Sequence, residues 1–431
     1  MNQNNEFSLN GDTRSNSINQ YRQSGININS DDSIFSVSNG ASAMLLPNGR
    51  VIAWGDERYG GQIPPEIAQL QDIVSLSTTG YAFAALRANR SVVAWGLKDW
   101  GGELPSEVAE LQDIVSLKAS VCAFTALRAN RSVVAWGASD YGGQIPPEVA
   151  ELQDIVSLST TGSAFAALRA NRSVVVWGDN SFGGEIPPEI AKLRDIVCLE
   201  ATGASFAALR TNRSVVGWGL VSSGGQVPPE IARLQDIVSL SSTNAAFTAL
   251  RANGSIVSWG SSFFGGVIPS EIAALKDIVS LKAAIYTFAA LRADRSVVSW
   301  GESARVPPEI AALKDIVSLK AANYTFAALR ADRSVVSWGA STRVPPEIAK
   351  LKDIVSLRAG ANAFAVLRAN GSVVAWGPLS LNVQVPPGIA RLRDIVSLSS
   401  SGRSFSVLRA NGERLAWDVG NDNTVHSEYD D

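Results

Sequence analysis

The chain has 431 residues and a single histidine, His426, close to its C-terminal end. A Ser-His-Asp relay, a Cys-His nucleophile or a histidine-bearing metal site therefore finds no imidazole in the body of the chain. The two cysteines, Cys122 and Cys198, lie inside apolar stretches and read as buried free thiols, which suits a reducing compartment. Carboxylates remain. Two acids can divide the acid and base roles of glycan cleavage. Most acids here, Glu66 and Asp72 among them, recur at one place in unit after unit and read as caps. Asp56, Glu57, Asp99 and Asp140 stand outside that pattern and are the candidates for such chemistry. No cofactor or metal signature is read.

Two other sets of side chains suit recognition better than reaction. Arg87, Arg90, Arg128, Arg131, Arg169, Arg172, Arg210 and Arg213, with equivalents further on, gather in short polar turns. They form either a basic docking rim for an acidic partner or polyphosphate, or a solvated rim paired with neighbouring acids. Tyr59, Trp100, Tyr141, Phe182 and Phe264 each precede a Gly-Gly pair, and Tyr81, Tyr286 and Tyr324 lie in variable turns. Together they could make an aromatic crescent, Tyr and Trp being common interface anchors; alternatively the ring before Gly-Gly packs beneath its own loop. A net charge of −3 gives no basic field, and no aromatics interleave with the arginines, so nucleic acid is not expected.

The elements that must position these groups come from repetition. Tryptophans fall at 54, 95, 136, 177, 218, 259, 300, 338, 376 and 417, at steps of 41 or 38. Nine are followed by Gly; the last is Trp417-Asp418. Asp-Ile-Val precedes nine of them, and the first unit is a worn version, which makes ten units. Each unit holds three strand-length apolar runs, such as IVSLS, AFAALR and SVVAWG in the second, bounded by Gly, Asn, Ser or Pro. Val92 and Ala94 face one way and Val93 and Trp95 the other, yet all four are apolar. Both faces of such a sheet are buried, as in a ring of small stacked sheets and not in a two-layer sandwich. The expectation is an all-β, propeller-like array of ten repeats with mostly three-stranded blades, closed or open. The segment GGQIPPEIAQLQ (60–71) predicts a turn or two of helix on the outside, with Pro65 at a first helical position and Glu66 in the positive first turn. A leucine-rich repeat is excluded by the 41-residue period.

DIVSL, a small-residue turn, AFAALRAN(G/R)SVVAWG, then Gly-Gly and Pro resemble the regulator-of-chromosome-condensation (RCC1-type) repeat; RANGSIVSWG (251–260) and RANGSVVAWG (368–377) are nearest to it. The resemblance covers about residues 31–418. It implies a β-propeller, most often seven-bladed. The short period is similar to a bacterial branch that includes a beta-lactamase-inhibiting propeller, while the eukaryotic founder is an exchange factor for a Ran-type GTPase. Two departures stand out. The histidine that the family often carries at the start of the second strand is replaced by Ala82, Ala123, Ala164, Ser205 or Thr287, and ten units exceed seven.

Such blades have two ends. The turns between strands two and three (ANRS) share one end, and the turns between strands one and two share the other with the crossover to the next blade. At the first end Arg90 and five equivalents stand where Gly49, Gly254, Gly371 and Gly412 stand elsewhere; a three-residue hairpin prefers glycine there, unless Asn89 takes the positive φ. The second end is where the units differ. The function expected is a non-enzymatic protein-protein interaction module offering that variable face, with a monomeric chain. An exchange factor or a carboxylate glycosidase are the alternatives. The framework tryptophans read as core. Residues 1–30 are polar and either disordered or ring-closing, and 419–431 read as an acidic, disordered tail. No apolar stretch reads as a signal or a membrane span, which leaves a cytoplasmic protein or one exported without a classical signal peptide.

Overall fold

A computed structural model describes residues 35–302, 305–340, 343–381, 383–420 and 424–427. The polar N-terminal segment lies outside them. Ten three-stranded antiparallel sheets follow one another along the chain, each in the order of its strands. The first is Phe35–Val37, Ala41–Leu45 and Val51–Gly55; the second Ile73–Thr78, Ala82–Arg87 and Val92–Gly96; the tenth Ile395–Ser401, Ser404–Arg409 and Arg414–Asp418. In the second, Phe83 pairs with Trp95 and Ala84 with Ala94. The first strand skips one residue, Val74, between Ile73 and Ser75. This bulge leaves Val74 half-exposed.

The sheets pack face to face, which is why neither face is polar. Ala82, Ala84 and Val92 of the second sheet meet Ile114, Phe124, Ala126 and Trp136 of the third, with Val108 from the one-turn helix Ser106–Ala109 closing the outer side. Small alanines on one face admit the large Phe-Trp pair of the next. That pair is stacked in every sheet from the second onward, as with Phe83 and Trp95 at 5.3 Å between centroids. Each such Trp is almost fully buried, contributing roughly 4–6 kcal/mol of transfer free energy before entropy is set against it.

The Gly-Gly pairs have a specific cause. Gly60 lies at φ 94°, and a Cβ there would stand 2.7 Å from the Phe83 ring; one on Gly61 would stand 2.4 Å from the Gly55 carbonyl. With the loop drawn in this tightly, the Gly60 carbonyl accepts the indole N–H of Trp95 at 3.0 Å. The same bond recurs for Trp136, Trp177, Trp218, Trp259 and Trp300. Where the Gly-Gly loop is shortened it is lost: Trp338 turns to Ser299 Oγ, and Trp376 Nε1 has no hydrogen-bond acceptor among the described residues.

Neighbouring sheets are also tied at both ends. At the hairpin end the Arg90 carbonyl accepts from Ile114 N at 3.0 Å, and Gly49, Arg131, Arg172, Arg213, Gly254, Arg295, Arg333 and Gly371 do the same for the next sheet. The tie also shows that the crossover starts at the variable end but arrives at the hairpin end. At the variable end Gly80 N donates to Val121 O and Val121 N to Gly162 O, a chain of bonds that runs from Asn39 to Gly402. Arg90, Arg131, Arg172, Arg213, Arg295 and Arg333 have φ of 62–66° and are the only non-glycine residues at positive φ among those described. The arginine therefore takes the left-handed position, while Asn89 Oδ1 accepts from the Ser91 amide and hydroxyl.

The tenth sheet packs on the ninth and meets the first. Val37, Met44 and Leu46 cluster with Ala416, Ser42 Oγ lies 3.4 Å from Ser404 Oγ, and Trp54 Nε1 donates to Asp418 Oδ2 at 2.8 Å. The two ends of the array are thus in contact. Two expectations need correction. Residues 424–427 do not trail away: His426 and Ala416 exchange backbone hydrogen bonds at 2.8 Å, and the His426 ring stacks on Trp54 at 4.0 Å. The remainder of the tail beyond Gly420 lies outside the described residues. Cys122 is buried, and burial pushes its thiol pKa up, but Cys198 is exposed. It replaces a serine of the DIVSL run, next to the bulge between Ile196 and Cys198.

Candidate functional site

The hairpin end carries the basic rim. Arg87 is not available there as a free cation. Its Nε donates to both oxygens of Asp72 at 3.0 and 3.2 Å, joining the end of the second strand to the start of the first. Arg128, Arg169 and Arg210 are held likewise by Asp113, Asp154 and Asp195, and the later sheets repeat the pair. Arg90, Arg131, Arg172 and Arg213 differ: they are exposed, and no ion pair is recorded for them among the described residues. Of the two arginine rows only this one faces solvent unneutralised. In the seventh sheet the residue at the Asn89 position is Asp294. The Ser296 hydroxyl and amide, then Arg292 and Lys314, hold its carboxyl down at about 2.

The variable end is built from ten first turns and from one-turn 3₁₀ segments, six of which are closed by a glycine in the left-handed region. Glu57–Tyr59 ends on Gly60, Lys98–Trp100 on Gly101 and Ser139–Tyr141 on Gly142. The tight turn brings the residue before Gly-Gly over the neighbouring first turn. Tyr81 meets Tyr59 edge-on at 5.4 Å and Trp100 edge-on at 4.1 Å, and Trp100 stacks on Tyr141 at 6.3 Å. Four rings from four successive loops and turns thus form one ladder. A second forms further round: Phe264 stacks on Tyr286 at 4.8 Å, and Tyr286 on Tyr324 at 4.5 Å. Phe182 joins neither ladder among the described residues.

Burial separates the anchors from the supports. Tyr59, Tyr141, Phe182 and Phe264 also pack on the apolar clusters beneath their loops, and Tyr286 is 5% exposed. Trp100 is half-buried and belongs to no such cluster. Tyr324 is 40% and Phe263 50% exposed. Phe263 was not singled out from sequence. It precedes Phe264 in SSFFGG, and since Phe264 holds the packing position before Gly-Gly, Phe263 must point outward, where it meets Tyr286 edge-on at 5.7 Å. Leu220 and Val221 are exposed in the loop between the ladders.

The charges are segregated too. The loops of the first ladder carry Asp56, Glu57, Asp99 and Asp140 against Arg58 and Lys98. Arg58 is held by Asp56 at 2.7 Å and lies 5.3 Å over the Tyr59 ring. Lys98 is paired with Glu103 at 2.5 Å. Glu57, Asp99 and Asp140 are exposed, with no ion pair recorded. The second ladder's loop, Ser261–Phe264, is neutral. A small open hollow of about 90 Å³ at the same end, between the ninth and tenth sheets, is lined by Gly360, Asn362, Leu381 and Arg403 among others and by no carboxylate. Among the described residues no three His, Cys, Asp or Glu side chains are grouped to hold a metal, and no helix is long and apolar enough to cross a membrane. The framework tryptophans of the second to tenth sheets are core.

No family model matches the chain, and no curated protein matches it. Among solved structures it is similar to the ectodomain of the receptor kinase CR4 from Physcomitrella patens. The identity is 21%, over 64% of this chain and 77% of that one, with a TM-score of 0.37. It is also similar to Prp20p, the RCC1 of Saccharomyces cerevisiae, at 17% identity over 90% and 97% of the two chains, again with a TM-score of 0.37. A computationally designed protein, Ika8, is similar at 13% identity, 71% and 96% coverage and a TM-score of 0.36. The architecture described above rests on the ten sheets and their hydrogen bonds and not on these superpositions.

Proposed function

We propose that the protein is a non-enzymatic binding module whose variable end docks another protein, in the manner of an inhibitor or effector. The observation that carries this reading is the ladder Tyr59-Tyr81-Trp100-Tyr141, in which rings from non-repeating positions of successive units meet on one end. The sheets themselves do not require these rings, because other units place Ser223 at the Tyr59 position and Cys122, Ser163, Ala204 or Asn362 at the Tyr81 position and form the same sheets. A rigid scaffold holding half-exposed aromatics in fixed contact loses little entropy when it binds. Trp100 is the anchor: it has the largest ring and the least support from below.

The test is affinity capture with the intact protein and with a Trp100→Ala/Tyr141→Ala variant, each partner then being titrated in purified form. A partner that docks here loses about thirtyfold or more in affinity for the variant, the range of an interface hot spot. Tyr141 packs on the cluster beneath its loop whereas Trp100 lies outside the core clusters, so Trp100→Ala alone is the stability control and should lose affinity with little change in melting temperature. Partners that bind both forms equally would refute the assignment of this end.

A further inference from the structure

The loops of the first ladder hold a cation of their own. Arg58 lies between the Asp56 carboxylate at 2.7 Å and the Tyr59 ring, its guanidinium carbon 5.3 Å from the ring centroid. This is carboxylate-and-π recognition of an arginine, made within one loop. The next two loops keep the ring but carry Leu97 and Ala138 at the Asp56 position, and their acid stands one residue before the ring. In KDW and SDY the position of Arg58 is taken by Asp99 and Asp140, directly before Trp100 and Tyr141. Both acids are exposed and without a recorded ion pair, Lys98 being occupied by Glu103. Trp100, whose indole face binds a cation better than phenol or benzene, is stacked on Tyr141, so the two carboxylates lie one unit apart beside joined rings.

We propose that the Asp99-Trp100-Asp140-Tyr141 sector binds an arginine side chain presented by the docked protein, with carboxylate and ring, the same two kinds of group that hold Arg58 in the preceding loop. The inference deepens the docking reading and rests on it. The partner is therefore one that offers a basic loop, and the neutral second ladder supplies apolar contact further round. Arginine fits better than lysine because its planar guanidinium can lie on a ring while donating two hydrogen bonds at its edge.

The experiment measures binding of a fluorescent Arg-Gly repeat peptide, and of the same peptide with citrulline for arginine, to the full chain. Anisotropy is read at about 50 mM and about 300 mM salt. The expected result is binding of the arginine peptide that weakens with salt, and binding of the citrulline peptide weaker by about tenfold or more. Asp99→Asn/Asp140→Asn and, separately, Trp100→Ala each weaken arginine-peptide binding by about tenfold. Glu107→Gln/Glu148→Gln, which removes the same charge from the outer helices, leaves it unchanged. The proposal is overturned if the wild-type chain does not bind the arginine peptide, if citrulline binds as well, or if the outer-helix variant loses as much. A partner that loses affinity for Trp100→Ala/Tyr141→Ala but not for Asp99→Asn/Asp140→Asn overturns the arginine site and leaves the docking end standing. A partner indifferent to both variants removes the docking end as well.

Discussion

Replacing Arg90, Arg131, Arg172 and Arg213 by glycine should stabilise the protein although it deletes four charged side chains. Each arginine sits at φ 62–66°, where an L-residue costs about 1–2 kcal/mol relative to the right-handed regions. Glycine removes that cost and gives back about 0.5–1 kcal/mol through the greater freedom of the unfolded chain. The net gain is about 0.5–1 kcal/mol per turn and about 2–4 kcal/mol for four turns far enough apart to add. No tie is lost, because the bond from Ile114 N is accepted by the backbone carbonyl of residue 90, and no ion pair is recorded for the side chain. At about 2 cal/mol/K per residue over roughly 390 residues, the melting temperature rises by about 3–5 °C. Calorimetry measures it directly. The reverse substitution, Gly254→Ala, should destabilise, since a Cβ there would lie 2.4 Å from the Lys276 carbonyl and the linker must retreat. An unchanged or lowered melting temperature in the fourfold variant would refute the strain argument and show that the guanidinium groups stabilise the folded state by more than the turns cost.

Three further outcomes follow from unequal units. Thr125 Oγ1 is buried without a partner, whereas Thr248 Oγ1 meets Ser258 Oγ at 2.6 Å. Ala135→Ser, opposite Thr125, should therefore raise stability by about 1 kcal/mol in urea denaturation, and no gain would show that the hydroxyl is not in want of a bond. Asp294 titrates lower folded, at about 2, than its ordinary 3.8. Its stabilisation is thus complete above about pH 4 and is lost as pH falls toward 2. Asp294→Asn should flatten that acid limb of melting temperature against pH while changing little at pH 7, because Asn89 makes the same bonds in its own turn. Asp418→Gly restores the residue that follows the other nine tryptophans but removes the acceptor of Trp54 Nε1. A loss of about 1.5–3 kcal/mol is expected, with a red-shifted tryptophan emission if the seam opens.

The repeat, the three strands of each unit and the burial of both sheet faces were legible because a 41-residue period prints the same packing problem many times. Short helices were legible for the same reason: Pro65–Ala68 starts where Pro and Glu place it. The rim was legible only as a set of arginines. Sequence could not divide it, because Arg87 and Arg90 are equally polar in the same turn, and only the register that sets Arg87 against the start of the first strand shows that one is neutralised by Asp72. The crescent was legible as variable positions but not as two ladders. Whether Phe182 touches Tyr141 depends on angles between units that no single unit encodes, and Phe263 was hidden by the better-patterned Phe264 beside it.

The departures from the repeat concentrate where the first and tenth sheets meet, and there is a physical reason. Eight inner sheets can use one solution, because each receives the face its predecessor presents. Among the described residues no sheet precedes the first, and its neighbour is the tenth. It carries Ser42 opposite Trp54 where other sheets carry Phe, and Ser42 reaches Ser404 across the seam. The tenth sheet ends on Asp418 in place of Gly, and that carboxylate, not a glycine carbonyl, accepts the Trp54 indole N–H. The stacking partner that Phe83 and its equivalents supply within their own sheets is supplied to Trp54 by His426, brought back by the strand-like pairing of residue 426 with Ala416. His426 thereby has a packing role. The seam joins a small apolar cluster of Val37, Met44, Leu46 and Ala416 to polar bonds and lacks the alanine-to-Phe-Trp packing of the other junctions, which makes it the junction most easily opened. Amide exchange should accordingly be fastest, among strand amides, in the first sheet and at Ala416. Protection there equal to that of the fifth and sixth sheets would mean that the joint is as strong as the repeat.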